Sequence, residues 1–287
     1  MPELPEVETI ARALANEVLN LEIESAYVYT PTLLKGPFRS HWARFAKKIA
    51  HTRIHSVTRR GKRLIILTGH NTAIITQLGM TGKFFIRCTS EANPKHTHLQ
   101  LNFNNDNKLI YVDARRFGRL WPLEIDGGCE NLDQAMIQAG LSRLALDPFQ
   151  ITPGQFRKVL HSSKPIKNLL LDQQKISGLG NIYTDESLFA AGIHPATPSA
   201  LIEKTRSTKL LNCIRRILKK SIAACGTTFR DFQNPYGDTG SFKNRLKVYR
   251  KTNSPCSKCK TPIQRIVLTG RSTHFCPHCQ KPFPSKQ

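Results

Sequence analysis

The sequence predicts an α+β fold, in which an N-terminal helix plus an antiparallel β-sandwich precede a helical region and a C-terminal four-cysteine module. Three observations support this. Apolar residues recur at helical spacing in the first 19 residues, short β-branched and aromatic runs follow to about residue 112, and helical patterns return from about residue 131. At 287 residues and 39% hydrophobic, the chain can form two compact domains, which excludes disorder as the default.

The first predicted element is an amphipathic helix from residue 3 to about residue 19. Proline and glutamate suit the start of a helix, because the N–H groups of the first turn have no acceptor within the helix and favour nearby negative charge. The apolar residues of one face are Leu4, Val7, Ile10, Ala11, Leu14 and Val18.

Short antiparallel strands are predicted after this helix. Gly, Asn and Pro separate the runs, and residues 104–107 form the clearest hairpin turn. The predicted strands span 23–29, 63–67, 72–78, 83–88, 98–103 and 108–112. This pattern favours a sandwich or a flattened barrel.

Helices dominate from residue 131. The longest, 199–224, has an apolar stripe with basic residues outside it, and a long Gly-, Asn- and Ser-rich loop, 227–244, follows. The other predicted helices span 135–139, 153–161, 165–172 and 184–191. We expect a β-sandwich domain over 2–130, a helical domain over 131–250 and the four-cysteine module over 251–287.

The charge balance points to a polyanionic partner. Lys and Arg number 43 against 20 Asp and Glu, a formal net charge of +23, and residues from 131 onward carry +17 of it. Nucleic acid is the commonest partner of so basic a chain, ahead of an anionic membrane face or an acidic protein. No apolar run is long enough to span a bilayer, and the acidic N-terminus is unlike a secretory signal, so we expect a chain that stays where it is made, without a membrane partner.

Four of the eight cysteines form a metal-binding pattern. Cys256-x2-Cys259 and Cys276-x2-Cys279 match a four-cysteine zinc module, because each pair turns two thiolates toward one point. The alternative is a pair of disulfides in a secreted module, which the missing signal sequence disfavours. Four thiolates close the coordination sphere, so the sequence predicts one structural Zn²⁺ that does no chemistry.

The N-terminal residues could carry covalent chemistry. If Met1 is removed, Pro2 presents a secondary amine, a nucleophile that can form an iminium with a carbonyl-like carbon. Glu3 and Glu6 lie beside it as possible proton carriers. The alternative interpretation is purely structural: proline at the helix start, followed by glutamates that stabilise the helix dipole.

Six motifs decide between these interpretations, because together and in order they resemble the formamidopyrimidine-DNA glycosylase family, the bacterial 8-oxoguanine DNA glycosylase/AP lyases. The resemblance runs from residue 2 to about residue 280. The motifs are Pro2-Glu3-Leu4-Pro5-Glu6-Val7-Glu8, Lys62 after Arg59-Arg60-Gly61, Leu78-Gly79-Met80, Asp113-Ala114-Arg115-Arg116-Phe117-Gly118, Gly178-Leu179-Gly180-Asn181-Ile182-Tyr183, and the four-cysteine finger.

The resemblance implies a bifunctional enzyme that removes oxidised purines from duplex DNA and then cleaves the strand by β,δ-elimination. Pro2 is implied to be the nucleophile at C1′, Glu3 the acid/base at the sugar ring oxygen, and Glu6 a hydrogen-bonding partner of the site. Lys62 is implied to contact the phosphate region of the damaged nucleotide and to assist catalysis. Arg271 is implied to grip the phosphate that flanks the lesion at the catalytic site, which suits a bidentate guanidinium.

The same resemblance implies residues that hold the opened duplex. Excision needs the base outside the stack, and Met80, Arg115 and Phe117 are implied to fill the space that it leaves. Asn181, in a helix-two-turn-helix formed by 165–191, is implied to bind a phosphate. Further implied DNA contacts are His96, Arg116 and, in the loop over the flipped base, Arg230.

Several positions depart from the family pattern. Ala114 replaces a usual Pro, His274 a common aromatic ring, and Phe229 a more frequent aliphatic residue in the loop over the base. Base preference is therefore the least constrained inference. One alternative is an endonuclease VIII-like enzyme for oxidised pyrimidines, which Leu4, Arg115 and Phe117 disfavour. The other is a non-catalytic zinc-finger DNA-binding protein, which the intact Pro2, Glu3 and Lys62 disfavour. We expect a cytoplasmic, nucleoid-associated monomer with damaged double-stranded DNA between its domains.

Overall fold

The computed structural model describes residues 2–69, 71–229 and 232–282, and its chain divides into two compact units. Unit 1 comprises the chain up to Arg143 together with Ala224–Ser241. Unit 2 comprises Leu144–Ala223 together with the chain from Phe242 onward. The domain boundaries predicted after residues 130 and 250 concern parts that fold independently, and they stay predictions.

Unit 1 is built on two four-stranded antiparallel sheets. One has the order β1-β6-β7-β5 and the other β2-β3-β4-β8. The strands are β1 (Ile23–Val28), β2 (Ile54–Arg60), β3 (Arg63–Thr68), β4 (Thr72–Gln77), β5 (Lys83–Cys88), β6 (Thr97–Phe103), β7 (Asn107–Val112) and β8 (Arg119–Glu124). The predicted antiparallel sandwich is confirmed, although the sequence did not predict the strands β2 and β8.

The described part of this unit also forms three α-helices: α1 (Leu4–Val18), α2 (Trp42–Ile49) and α3 (Leu132–Gln138). The apolar face of α1 lies in one core with inward residues of both sheets, such as Leu64 and Leu101. The alternate residues of β3 and β4, such as Ile65 and Ile75, pack instead in a second cluster with residues of α3. Burial on both faces explains why these two strands read as continuous apolar runs.

The segment 224–241 returns to unit 1 after a long excursion of the chain. Phe232 packs against the main core, and the Lys83 ammonium donates to Gln233 Oε1 at 2.8 Å. The hydroxyl of Tyr236 donates to Glu17 Oε1 at 2.8 Å. The described residues of this segment, which overlaps the loop predicted at 227–244, are thus tied to α1 and β5.

The described residues of unit 2 form four α-helices, short 3₁₀ turns and a β-hairpin. The helices are α4 (Pro153–Val159), α5 (Ile166–Leu171), α6 (Asn181–Ala191) and α7 (Lys204–Ala223), and the hairpin pairs β9 (Gln264–Leu268) with β10 (Arg271–Phe275). A Thr152–Gln155 capping box starts α4. The helix α7, whose buried residues include Leu211 and Ile214, packs against α6. In the described ranges, no helix has the length and apolar character needed to cross a membrane.

Candidate active site and zinc finger

The N-terminus of α1 places two buried carboxylates beside Pro2. Glu3 is the residue before the helix, and its backbone N–H donates to Glu6 Oε2 at 2.8 Å in a capping box. Glu3 is 4% exposed and Glu6 2% exposed. Glutamates that only stabilised a helix dipole would be expected to be exposed to water. The burial of Glu3 and Glu6 therefore indicates a further role for the start of the chain.

Glu6 also connects α1 to the returning segment 224–241. Its Oε1 accepts the backbone N–H of Thr227 at 2.8 Å. Gly226 has a φ of +83°, and a Cβ at this position would lie 3.0 Å from the Glu6 side chain, so a glycine is required there. Arg230, which the resemblance places in this loop, lies outside the described residues.

Lys62 occupies the turn between β2 and β3. Arg60 pairs with Arg63 across a two-residue connection, which leaves Gly61 and Lys62 at the tip of the hairpin. The Lys62 side chain is half-buried there.

Met80, Arg115 and Phe117 come together at the surface of unit 1. The Arg115 guanidinium carbon lies 4.5 Å from the centre of the Phe117 ring, and its Nη1 lies 3.5 Å from the sulfur of Met80. Met80 is 43% exposed and Phe117 51% exposed, so neither serves as core packing. A thioether, a guanidinium and a flat ring thus form one exposed cluster, suited to contacts with bases.

A buried carboxylate beneath this cluster holds its two loops together. Asp113 is fully buried, and its carboxylate accepts the Thr81 hydroxyl and, at 2.7 Å, the backbone N–H of Gly118. Thr81 in turn accepts the backbone N–H of Arg115 at 3.2 Å. Burial, with the adjacent Asp113 carboxylate, raises the pKa of Tyr111 far above its usual value, so its hydroxyl stays protonated.

Asp113 also links His96 to Arg116 through the backbone. Its N–H donates to the His96 carbonyl at 3.1 Å, and its carbonyl accepts the Arg116 N–H at 3.1 Å. Both residues have positive φ, 68° for His96 and 55° for Arg116, so each sits in a sharp turn. The sequence motif contained Asp113, but only the structure shows that it organises the neighbouring candidates.

In unit 2 the structure brings Asn181 next to the finger hairpin. The Asn181 side-chain amide, at the N-terminus of α6, donates to the Ser272 carbonyl at 2.9 Å. Arg271 precedes Ser272 at the tip of the β9–β10 hairpin and is exposed. An exposed guanidinium beside a helix N-terminus is a favourable arrangement for a phosphate.

A buried ion-pair cluster holds this hairpin, and sequence reasoning missed it. The Lys167 ammonium, fully buried, donates to Asp185 Oδ1 at 2.7 Å and to the Ser272 carbonyl at 2.9 Å. The other Asp185 oxygen accepts the backbone N–H of His274 at 2.9 Å. Lys167 and Asp185 are 18 residues apart on different helices, so no local pattern could reveal their pairing.

The four candidate zinc ligands converge as their spacing predicted. The sulfurs of Cys256, Cys259, Cys276 and Cys279 all lie within 4.8 Å of one another, and three of the pairs are 3.4, 3.5 and 3.9 Å apart. A tetrahedral zinc with Zn–S bonds of about 2.3 Å needs thiolates about 3.8 Å apart, so the cluster fits the ion.

The acid–base chemistry of these thiols also suits a cation. A hydrogen bond with Thr261 lowers the pKa of Cys259 to about 6, whereas burial raises the pKa of Cys279 to about 12. The four thiols therefore cannot all ionise at neutral pH unless a cation stabilises them. They form one structural zinc site, and their coordination would leave no position for an activated water.

Comparison with known proteins assigns the family. Residues 1–120 match the N-terminal domain of formamidopyrimidine-DNA glycosylase, 144–233 its H2TH domain, and 253–282 the zinc finger found in FPG and IleRS. A formamidopyrimidine-DNA glycosylase from a Synechococcus species is 40% identical over 98% of this chain and 99% of its own length.

Solved structures agree over the whole chain. A Lactococcus lactis FPG mutant in complex with DNA containing Fapy-dG is 34% identical, with a TM-score of 0.86 over 98% of this chain and 100% of that one. The wild-type Lactococcus lactis FPG, in complex with DNA containing an oxidised pyrimidine, is also 34% identical, with a TM-score of 0.85 over 98% and 100%. With such identity along its entire length, the chain belongs to the formamidopyrimidine-DNA glycosylase family.

Proposed function

We propose that this chain is a bifunctional DNA glycosylase/AP lyase that removes oxidised purines, 8-oxoguanine and formamidopyrimidines, from duplex DNA in base excision repair. The observation that carries the proposal is the buried pair Glu3 and Glu6 beside Pro2, since a carboxylate is buried at such cost only where it is hydrogen-bonded or used. The exposed cluster of Met80, Arg115 and Phe117 supports it, because a base must leave the stack before its sugar can react.

In the proposed mechanism the nitrogen of Pro2, exposed after removal of Met1, attacks C1′ of the damaged nucleoside. The bond from C1′ to the base breaks, and Glu3 donates a proton to the ring oxygen as the sugar opens to an iminium. Loss of a proton from C2′ expels the 3′ phosphate, and a second elimination expels the 5′ phosphate. Hydrolysis of the iminium then returns the amine of Pro2.

The remaining candidates hold the DNA in this mechanism. Lys62 and Arg271 contact the phosphates at the lesion, and Asn181, His96 and Arg116 contact the backbone around it. Met80 enters the vacated space, Arg115 faces the orphaned base and Phe117 wedges the duplex. Glu6 holds the N-terminus of α1 in place, and the residue at 230 belongs to the loop over the flipped base. The zinc site folds the finger that carries Arg271.

Borohydride trapping tests the covalent step. Reduction during reaction with an 8-oxoguanine duplex should join protein to DNA, and peptide mapping by mass spectrometry should locate the adduct on Pro2. A matched sample that retains Met1 should give no adduct, since its proline nitrogen is an amide. Trapping on a lysine, or excision without any adduct, would refute the proposed nucleophile.

Oxidised pyrimidines are a second candidate substrate, because one similar solved structure is a complex with DNA containing an oxidised pyrimidine. A panel of duplexes carrying 8-oxoguanine, a ring-opened purine and thymine glycol separates the two. We propose that the protein releases 8-oxoguanine and the ring-opened purine faster than thymine glycol. We also propose that the protein acts as a monomer on damaged double-stranded DNA and locates to the nucleoid through it.

A further inference from the structure

Unit 2 contains a cavity of about 470 Å³ that none of the proposed DNA contacts line. Its walls come from α6, α7, the chain segment 242–247 and the first zinc knuckle, 256–259. The volume lies in the range of small-ligand pockets, roughly 300 to 1,000 Å³. The cavity is therefore large enough for a compact organic or inorganic anion.

Among the residues that the structure describes, five cationic side chains line this cavity, and all five are exposed. They are Arg216 and Lys220 of α7, Arg245 and Lys247 of the segment 242–247, and Lys258 of the knuckle. Within the described part of the chain, none of the five forms an ion pair with a carboxylate. Their mutual repulsion is therefore not relieved by the protein itself.

Among the described residues, the carboxylate in the wall is that of Glu186, and it is already hydrogen-bonded. Glu186 is 4% exposed, and its oxygens accept the backbone N–H groups of Lys247, Val248 and Tyr249 at 2.9 to 3.0 Å. These bonds fix the segment that carries Arg245 and Lys247, so Glu186 shapes the cavity rather than pairing with its cations. The Lys258 ammonium lies 4.6 Å from the centre of the Phe189 ring, which holds this side chain against the wall.

We propose that this cavity binds a compact polyphosphate, several phosphoryl groups in one chain, supplied either as inorganic polyphosphate or as the polyphosphate tail of a nucleotide. Adjacent phosphoryl groups concentrate negative charge in a small volume, and guanidinium forks with ammonium groups match them. A DNA duplex distributes its phosphates along a long helix axis and would not enter a cavity of this volume. An acidic peptide carries one carboxylate per residue, so a stretch short enough for this cavity presents less charge than a polyphosphate of the same size.

Isothermal titration calorimetry on the full zinc-loaded chain at about 150 mM salt tests the proposal. Tripolyphosphate and ATP should each bind saturably at one site, and both should bind at least tenfold more tightly than orthophosphate. Tighter binding of ATP than of tripolyphosphate would assign the nucleotide as the source, and the reverse order would assign inorganic polyphosphate.

Paired variants of α7 locate the site. Arg216→Gln/Lys220→Gln should weaken tripolyphosphate binding at least tenfold, whereas Lys209→Gln/Lys219→Gln, which removes the same charge from exposed positions of the same helix outside the cavity, should change it less than twofold. Arg245→Gln/Lys247→Gln provides an independent second variant from another wall. Zinc content and circular dichroism verify that each variant is folded.

Four results would overturn the proposal: no saturable binding, equal weakening in the α7 pair and its control, hexaglutamate binding as tightly as tripolyphosphate, or displacement of tripolyphosphate by an undamaged duplex. The last would assign the five cations to a DNA-binding surface. Because lesion excision is measured separately, failure here leaves the proposed enzyme activity standing.

Discussion

Glu6 accepts the backbone N–H of Thr227 at 2.8 Å, while its second oxygen accepts the backbone N–H of Glu3. One buried carboxylate therefore fixes both the start of α1 and the segment after Gly226. In the proposed enzyme these two parts carry the nucleophile and the loop over the flipped base. Both bonds are shielded from water, so losing either leaves a buried donor without an acceptor.

Glu6→Gln tests this coupling. The amide keeps one oxygen, so one of the two N–H donors would face an NH₂ group. We expect the free energy of unfolding to fall by about 1–3 kcal/mol and 8-oxoguanine excision to fall at least tenfold, measured by thermal melts and single-turnover assays. Glu24→Gln, on an exposed position of β1, removes the same charge and should change neither. Wild-type excision by the Glu6 variant would refute the coupling.

Glu3→Gln separates the two reactions proposed for the site. Base release requires a proton at the ring oxygen, whereas a pre-formed abasic site is already open to the amine. We expect base release to fall by about 100-fold or more, the usual contribution of a general acid, with a much smaller loss at an abasic site. Both rates come from single-turnover assays on the matching duplexes. Equal losses in the two assays would remove Glu3 from the glycosylase step.

Asp113→Asn should disturb the exposed cluster although Asp113 is not one of its members. The substituted amide can present an NH₂ group to the Gly118 N–H, and the loops that carry Met80 and Arg115 should then shift. We expect discrimination between cytosine and adenine opposite the lesion to fall at least fivefold. Thr81→Ser retains the hydroxyl bond and should keep the discrimination, whereas Thr81→Val should lose it. If both Thr81 variants behave alike, this network does not position Arg115.

The sequence predicted those parts of the fold that depend on local patterns. The helical repeat from Leu4 to Val18 and the two Cys-x2-Cys pairs are local, so α1 and the zinc site were predicted from their residues. The strand β8 was missed because Pro122 lies inside it, and proline normally argues against a strand.

Local sequence patterns predicted less of the candidate site than of the fold. Family motifs singled out Met80 and Phe117 as candidates, because an apolar residue on its own does not indicate a DNA contact. The polar groups that position them were not apparent, because Thr81 and Asp113 are 32 residues apart and meet only when β5 pairs with β7. The same holds for Lys167 and Asp185, whose burial makes sense only once both helices are in place.

Zinc removal should unfold part of unit 2 and leave unit 1 folded. A strong chelator deprives the four thiols of their cation, and because the ion contributes folding energy directly, the hairpin that carries Arg271 should unfold. We expect affinity for a lesion duplex to fall at least tenfold while the β-sheet circular dichroism of unit 1 persists. Re-addition of Zn²⁺ should restore binding. Undiminished affinity in protein verified to be metal-free would show that the finger is dispensable for DNA binding.

Unit 2 should lose stability in mild acid through His194. Its Nδ1 accepts the backbone N–H of Ala196 at 3.2 Å, its ring packs edge-on against Phe275, and burial lowers its pKa below the usual value near 6.5. A lowered folded-state pKa means that the unfolded chain binds the proton first. The stabilisation is therefore complete above pH 6.5 and declines as the pH falls toward the folded-state pKa. His194→Asn keeps an acceptor for Ala196 but cannot titrate, so chemical denaturation between pH 8 and 5 should give a shallower decline for the variant. Zinc release at low pH affects both proteins alike and cancels in their difference, so parallel curves would show that His194 is not the titrating group.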